Sequence, residues 1–164
     1  MSSIEPGDGV RRRRRSTTAI KDSLRQLSNQ LSLLNHHVGA RLGLKDIDLD
    51  CLDLIDRYGP MSPSTLARRA GLHPATMTGI LDRLQRDGWI IRDRDPDATD
   101  RRAVAVRALR DRGGEMYRLY AGMNGALDEI CAGYTDAELE LLAGFLRRTT
   151  DAGRDATDEL AGDT

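Results

Sequence analysis

Apolar residues in the first forty positions recur at alternating intervals of three and four. This spacing puts them on one face of a long helix over nearly three heptads. Thr17 or Thr18 can cap its start, and Gly39 and Gly43 mark its end. The apolar face consists of Ile20, Leu24, Leu27, Leu31, Leu34 and Val38.

The pattern predicts three shorter helices between residues 46 and 87. The first covers about 46–58, and the sequence "YGPMSP" ends it. The next begins at the Ser62-Pro63 pair, an N-cap followed by proline at the first helical position, and runs to Ala70. After a turn at Gly71-Leu72-His73, the third starts at Pro74 and runs to Asp87.

From Trp89 onwards the apolar period changes from helical to two. The segments "WIIRDR" and "RAVAVRAL" are strand candidates, and the turn-rich "DPDATD" between them predicts a hairpin. Val104 and Val106 need a core, so we expect their face, which Arg102 shares, to point inwards. The opposite, outward face then carries Arg101, Ala103, Ala105 and Arg107.

Two more helices complete the predicted order. One lies within "RDRGGEMYRLYAGMNGALDEICAGY", and the last begins at a capping box formed by Thr135 and Glu138. The predicted fold is therefore mainly α, with one β-hairpin. The predicted divisions are a disordered basic arm (1–15), terminal helical segments (16–45 and 110–151), a central segment of helices and hairpin (46–109) and a frayed acidic tail (152–164).

Charge is distributed unevenly, although the net charge is only −1. Residues 1–45 hold nine basic against three acidic residues, and residues 66–112 hold eleven against seven. Residues 128–164 hold three against ten. A nearly neutral chain can therefore present a basic face. The run Arg11–Arg15 would strengthen binding to any polyanion without reading sequence.

Several classes of function find no support in the residues. We see no membrane span, no signal-peptide pattern, no phosphate loop and no nucleophile with a base, so we expect a cytoplasmic protein that is not an enzyme. We also expect no cofactor and no metal, because no cluster of ligands has workable spacing. Cys51 and Cys131 are expected to be small buried thiols, and redox sensing is the alternative.

The segment "LARRAGLHPATMTGI", residues 66–80, follows the packing logic of a DNA-reading helix-turn-helix. Ala67 is small where the two helices approach, and Gly71 lies at the turn. The second helix would place its N-terminal residues at base edges in the major groove of double-stranded DNA. The expected DNA-binding residues are Ser62, Ser64, Arg68, Pro74, Ala75, Thr76, Thr78, Gly79, Arg83, Arg101 and Arg102.

The two adjacent arginines of the hairpin are expected to differ in role. Arg101 would point away from the core and enter a minor groove or reach phosphates. Arg102 is better placed for a structural pair at the base of the wing, with Asp100 or else Asp93 or Asp95. Such an exposed pair orients a side chain and adds only ~0–1 kcal/mol of stability.

Residues 46–109 resemble the winged helix of the MarR family of bacterial transcription regulators. The resemblance rests on "LARRAGL", "TMTGILDRLQRDGWIIRDRDP" and "DRRAVAVRAL", and the helical order extends it to roughly 17–150. It implies a mainly α fold, a winged helix-turn-helix (46–109) with a β-hairpin wing and a helical dimerisation domain built from both termini (16–45 and 110–151). It also implies a homodimer and a small aromatic or phenolic ligand that releases DNA. Two positions depart from the family pattern. His73 stands where an acidic residue or serine can pair with a wing arginine, and Gly79 stands where relatives often carry arginine.

The resulting hypothesis is a homodimeric repressor that binds a pseudo-palindromic operator and is released by a small inducer. The apolar face of the first helix could instead pack within one copy, but three long helices leave more apolar surface than one copy can cover. The ligand would contact His36, His37 and Arg41. The alternative is a constitutive or thiol-redox-responsive dimeric regulator.

Overall fold

The computed structural model describes residues 6–94 and 104–162. It contains six helices and one hairpin within those ranges. The helices are α1 (Pro6–Leu42), α2 (Asp46–Tyr58), α3 (Pro63–Arg69), α4 (Pro74–Arg86), α5 (Gly113–Cys131) and α6 (Asp136–Gly162). The strands are β1 (Ile90–Arg94) and β2 (Val104–Ala108), and a single 3₁₀ turn, Arg110–Arg112, precedes α5. The predicted order and fold class are confirmed.

The chain divides into two compact units, one ending at Leu49 and the other starting at Asp50. In the first unit, α1 ends in a tight turn at Gly43, whose φ of 70° suits glycine. The N–H of Leu44 donates to the carbonyl of Gly39 at 2.8 Å and closes the helix end. A side chain at Gly39 has no room, since its Cβ would lie 2.8 Å from the Leu44 carbonyl oxygen.

Both terminal helices are longer than the sequence predicted, and α1 begins at Pro6, within the segment expected to be a disordered arm. Helix α1 includes Arg11–Arg15 because arginine is a good helix former and its long side chains extend into solvent. The hydroxyls of Ser16 and Thr17 bond to the carbonyls of Arg12 and Arg13, so Thr17 lies within the helix and is not its cap. At the other end, α6 continues through the segment predicted to fray, with a hydrogen bond from Thr157 to Gly153.

The core of the second unit lies between α3, α4 and the hairpin. Helix α3 packs on α4 and β2, and α4 packs on β1. Strands β1 and β2 pair antiparallel, with Ile90 opposite Ala108 and Arg94 opposite Val104. On the other edge of β2, Met61 exchanges two backbone hydrogen bonds with Val106. The core side chains include Leu66, Ala67, Met77, Ile80, Leu81, Leu84, Trp89, Ile90 and Val106.

The expected inward and outward faces of β2 are partly wrong. Val106 is buried as predicted, but Val104 is 40 % exposed and Ala105 only 4 % exposed. The two-residue period predicts on which side of the strand a residue lies. It does not predict how far along the strand the core extends. Val104 lies at the loop end of the hairpin, beyond the core.

The capping box predicted for the last helix is confirmed. The Thr135 backbone N–H donates to the Glu138 carboxylate at 2.8 Å, and the Glu138 N–H donates to the Thr135 hydroxyl at 3.4 Å. The hydrogen bonds from the Thr135 backbone and hydroxyl lower the pKa of Glu138. Residue 135 therefore fixes the start of α6 as the sequence indicates.

Two helical glycines should respond oppositely to alanine. We expect Gly39→Ala to lower the free energy of unfolding by about 1–3 kcal/mol, because the new methyl would collide with the Leu44 carbonyl and with Leu49. Gly79→Ala should raise it by about 0.5–1 kcal/mol, because the position is open and alanine favours helix. Urea unfolding followed by circular dichroism at one protein concentration measures both, and a shift of the same sign for both would contradict the packing described.

Candidate nucleic-acid interface

Helix α4 buries one face and exposes the other at its N-terminal half. Met77, Ile80, Leu81 and Leu84 are buried, which holds the helix against α3 and β1. The opposite face carries small side chains, and an α-helix with such a face can enter the major groove of DNA. The exposed residues are Pro74, Ala75, Thr76, Thr78 and Gly79, all as the sequence predicted.

Helix α4 begins at a histidine cap. The Nδ1 atom of His73 accepts a hydrogen bond from the Ala75 backbone N–H at 3.2 Å, and Pro74 occupies the first helical position. This contact satisfies one of the N–H groups that a helix start leaves unpaired. His73, which departs from the family pattern, therefore has a local role at the start of the exposed face.

Two polar groups of α4 bond within their own helix. The Thr78 hydroxyl donates to the Pro74 carbonyl at 3.0 Å, and the Arg83 guanidinium donates to the Gly79 carbonyl at 3.3 Å. An arginine expected to reach phosphate thus lies along the helix in this conformation. Around Gly79 the space is open, so the missing side chain leaves a shallow gap on the exposed face.

Helix α3 and the residues before it contribute a second polar edge. Ser62 caps α3, since its Oγ accepts from the Thr65 N–H at 3.1 Å, so this predicted DNA contact has a structural role as well. Ser64 and Arg68 are exposed. The Arg69 guanidinium lies over the Tyr58 ring, 4.4 Å from its centre.

The tip of the wing lies outside the described residues, and with it Asp100, Arg101 and Arg102. Their predicted roles stay predictions. The described strands of the hairpin, β1 and β2, form ion pairs that were not predicted from the sequence. Asp93, considered as a partner for Arg102, pairs with Arg107 on the opposite strand.

Arg92 joins the hairpin to α4. Its guanidinium forms an ion pair with Asp82 and donates to the Gln85 side chain at 2.5 Å. The role of Arg92 was not predicted from the sequence, although two features of the sequence point to it. Asp82 and Gln85 are one helical turn apart, and Arg92 lies two residues after the buried Ile90 on the same face of its strand.

A second arginine, Arg112, contacts residues on both sides of the hairpin. Arg112 lies over the Trp89 ring at 4.0 Å and donates to the Asp87 carbonyl at 2.9 Å. It also pairs with Glu115 in the first turn of α5 at 3.2 Å. Arg112 therefore connects the end of α4 to the start of α5. Its role was not predicted from the sequence either.

The three residues predicted for a ligand pocket lie near the end of α1. His36, His37 and Arg41 are all exposed, and the Nδ1 of His36 is 3.2 Å from the Asp46 carboxylate. Within residues 6–94 and 104–162, no group of three or more His, Cys, Asp or Glu side chains could hold a metal ion. In the same ranges, no helix has the length and apolarity needed to span a bilayer.

A helix-turn-helix with an exposed second helix and a hairpin directly after it defines the winged-helix class of DNA-binding proteins. Residues 47–104 match the model of the MarR family. This segment is a MarR-family domain, and the chain is a DNA-binding transcription regulator.

Known proteins similar to this chain extend the match beyond that domain. The HTH-type transcriptional regulator YcgE of Bacillus subtilis is 29 % identical over 136 residues, which cover 83 % of this chain and 87 % of that protein. The HTH-type transcriptional repressor YetL of the same organism is 25 % identical over 126 residues, 76 % of this chain and 74 % of that one. A MarR family protein from Bacillus stearothermophilus has a similar structure, with a TM-score of 0.64 at 18 % identity, covering 86 % of this chain and 97 % of that one.

The histidine cap can be tested by substitution. His73→Ala should lower the free energy of unfolding by about 1 kcal/mol, because the Ala75 N–H loses its acceptor. His73→Asn keeps a side-chain acceptor at the cap and should stay close to the original stability. Urea unfolding gives the free energies, and hydrogen exchange at the Ala75 amide should be faster in the alanine variant alone. Equal stability of both variants would show that the cap contributes nothing.

Proposed function

We propose that this protein is a homodimeric repressor that reads a pseudo-palindromic operator with α4 in the major groove. The observation that carries the proposal is the exposed N-terminal face of α4, whose opposite face is locked into the core. Two copies related by a two-fold axis would read half-sites about one helical turn apart. The regulator class comes from the family domain, and the sequence-reading role of α4 is the proposal.

The dimer proposal is supported by apolar side chains of α1, α5 and α6 that are exposed to solvent in a single copy of the chain. On α1, Leu33 is 53 % exposed, and Ile20 and Leu27 are exposed to a similar degree. On α5 and α6, Ile130 is 59 % exposed and Leu141 is 67 % exposed. Apolar surface repeated along three helices is typical of an interface, and a second copy of the same chain would cover it.

Each DNA contact follows from where its residue lies. Ala75 and Thr76, near the start of α4, would contact base edges, because small apolar groups fit a thymine methyl and hydroxyls bond to bases. Ser64 and Arg68, on α3, would bind phosphates. The remaining proposed contacts are Ser62, Pro74, Thr78, Gly79 and Arg83.

The wing and the N-terminal arginines would add contacts of different kinds. Arg101 would enter the minor groove, and Arg102 would pair with Asp100 at the base of the wing. The exposed helical turns of Arg11–Arg15 would bind phosphates without regard to sequence, so their contribution should fall as salt rises.

Repression and its release form the finer part of the proposal. The similar protein YetL is named a repressor. A small aromatic or phenolic acid bound near His36, His37 and Arg41 would favour one spacing of the two winged helices and so lower DNA affinity. The exposed imidazoles of His36 and His37 offer stacking to an aromatic carboxylate, and the exposed guanidinium of Arg41 offers it a positive charge.

A thiol-redox mechanism is the alternative, and the cysteines differ in how well they suit it. Cys51 is 0 % exposed, which protects it from oxidants in the folded protein. Cys131 is partly exposed. A thermal-shift screen with phenolic acids, beside a DNA gel-shift assay after thiol oxidation, separates the two mechanisms.

Selection from a random duplex library tests the DNA proposal. The enriched site should be a pseudo-palindrome, and Thr76→Ala should weaken binding to it by about 1 kcal/mol, close to a fivefold loss, through one hydrogen bond. Thr157→Ala, the same change on the exposed surface of α6, is the matched control and should have no effect. If no sequence is enriched, or if both variants bind alike, α4 does not read the operator.

The dimer proposal predicts a defined response to one added charge. Leu146, 49 % exposed on α6, should lie in the interface, so Leu146→Glu should shift the protein towards monomer in sedimentation velocity. Ala152→Glu adds the same charge to an exposed position of the same helix and should leave the dimer intact. A monomeric original protein, or a dimer unaffected by Leu146→Glu, contradicts the assignment of this face.

A further inference from the structure

The contact between Arg92 and α4 connects the two elements that would bind DNA. Strand β1 leads into the wing, and α4 carries the exposed face. One guanidinium reaches two α4 side chains, Asp82 and Gln85, which stand one turn apart. A planar fork with several donors can make both bonds at once, whereas an ammonium cannot do so with the same geometry.

Asp82 poses an electrostatic problem for a DNA-binding helix. It lies one turn beyond Thr78 and Gly79, and its side chain is 60 % exposed. An unpaired carboxylate at this place would repel the phosphates that α4 must approach. Arg92 lies beside it with a side chain only 28 % exposed, so the positive charge is held at the carboxylate and is largely covered.

The other described arginines of the hairpin do not make this connection. Arg107 pairs with Asp93 across the two strands, so that ion pair stays within the hairpin. Arg94, two residues after Arg92 on the same face of β1, is exposed. Among the described residues of β1 and β2, it is Arg92 that forms an ion pair with α4.

We propose that Arg92 is a positioning residue for DNA recognition, which holds the first wing strand on α4 and neutralises Asp82 without itself contacting DNA. The inference rests on the proposed function, since it assumes that α4 lies in the groove. It differs from the wing-to-helix pair that the family resemblance implies, which would involve position 73 and the wing arginines.

A double-mutant cycle on DNA affinity tests this role. The probe is the duplex enriched by the original protein from the random library, and its dissociation constant is measured over a range of salt concentrations. Arg92→Ala should weaken binding by roughly three- to tenfold, because Asp82 is left uncompensated next to phosphates. In the Asp82→Asn background, the same Arg92→Ala change should cost less than about twofold, since no charge then needs neutralising.

The salt dependence separates positioning from direct contact. A side chain that binds a phosphate releases counterions, so its loss would reduce the slope of log affinity against log salt by about 0.9. For Arg92→Ala the slope should stay unchanged. Arg94→Ala, which removes the same charge from the same face of the same strand, is the matched control and should show no coupling to Asp82→Asn.

Each outcome has a clear meaning. An equal loss in both backgrounds, or a slope reduced by about one, would overturn the positioning role and make Arg92 a phosphate contact. If Arg92→Ala does not fold, the cycle is repeated with Arg92→Lys, whose smaller loss must again vanish beside Asp82→Asn. If no duplex is enriched at all, the proposed function fails, whereas enrichment with independent losses removes the role of Arg92 alone.

Discussion

The burial of one face of α4 is the constraint on which the rest of the DNA-binding unit depends. Four apolar side chains, Met77, Ile80, Leu81 and Leu84, are removed from water, each contributing about 1.5–3 kcal/mol. A period of 3.6 residues then leaves the opposite face in solvent and fixes its orientation relative to α3 and the hairpin. The exposed face can be made of small residues because the core holds the helix in place.

Local sequence rules predicted much of the fold and one part of the candidate site. The Ser62-Pro63 pair, Pro74 and the Thr135 capping box mark helix starts through interactions within a few residues, and the structure has all three helices there. The exposed face of α4 followed from the same period. Arg92 was missed because its partners are seven and ten residues away in another element, and the packing of β1 on α4 decides that contact.

The terminal helices extend further than a rule based on burial predicts. Residues with little to bury were predicted to be disordered at the N-terminal end and frayed at the C-terminal end, yet α1 starts at Pro6 and α6 runs to Gly162. A helix that has already formed extends by one hydrogen bond per residue, so extension needs no apolar contact of its own. Arginine and alanine in these segments favour that extension, and the hydroxyls of Ser16, Thr17 and Thr157 are accommodated by bonding back to the helix.

The aspartates of the winged segment would allow a chain with a net charge of −1 to bind DNA selectively. Asp82, Asp87 and Asp93 each lie against a different arginine, respectively Arg92, Arg86 and Arg107. Each exposed ion pair adds little stability, but it orients the arginine side chain. It also neutralises that positive charge, which then no longer attracts polyanions regardless of their sequence. DNA affinity would then depend less on the total charge of the segment and more on the side chains that the paired arginines hold in place. The wing and α4 would therefore read a sequence, whereas Arg11–Arg15, whose charges are crowded together on an exposed helix, would bind any phosphate backbone.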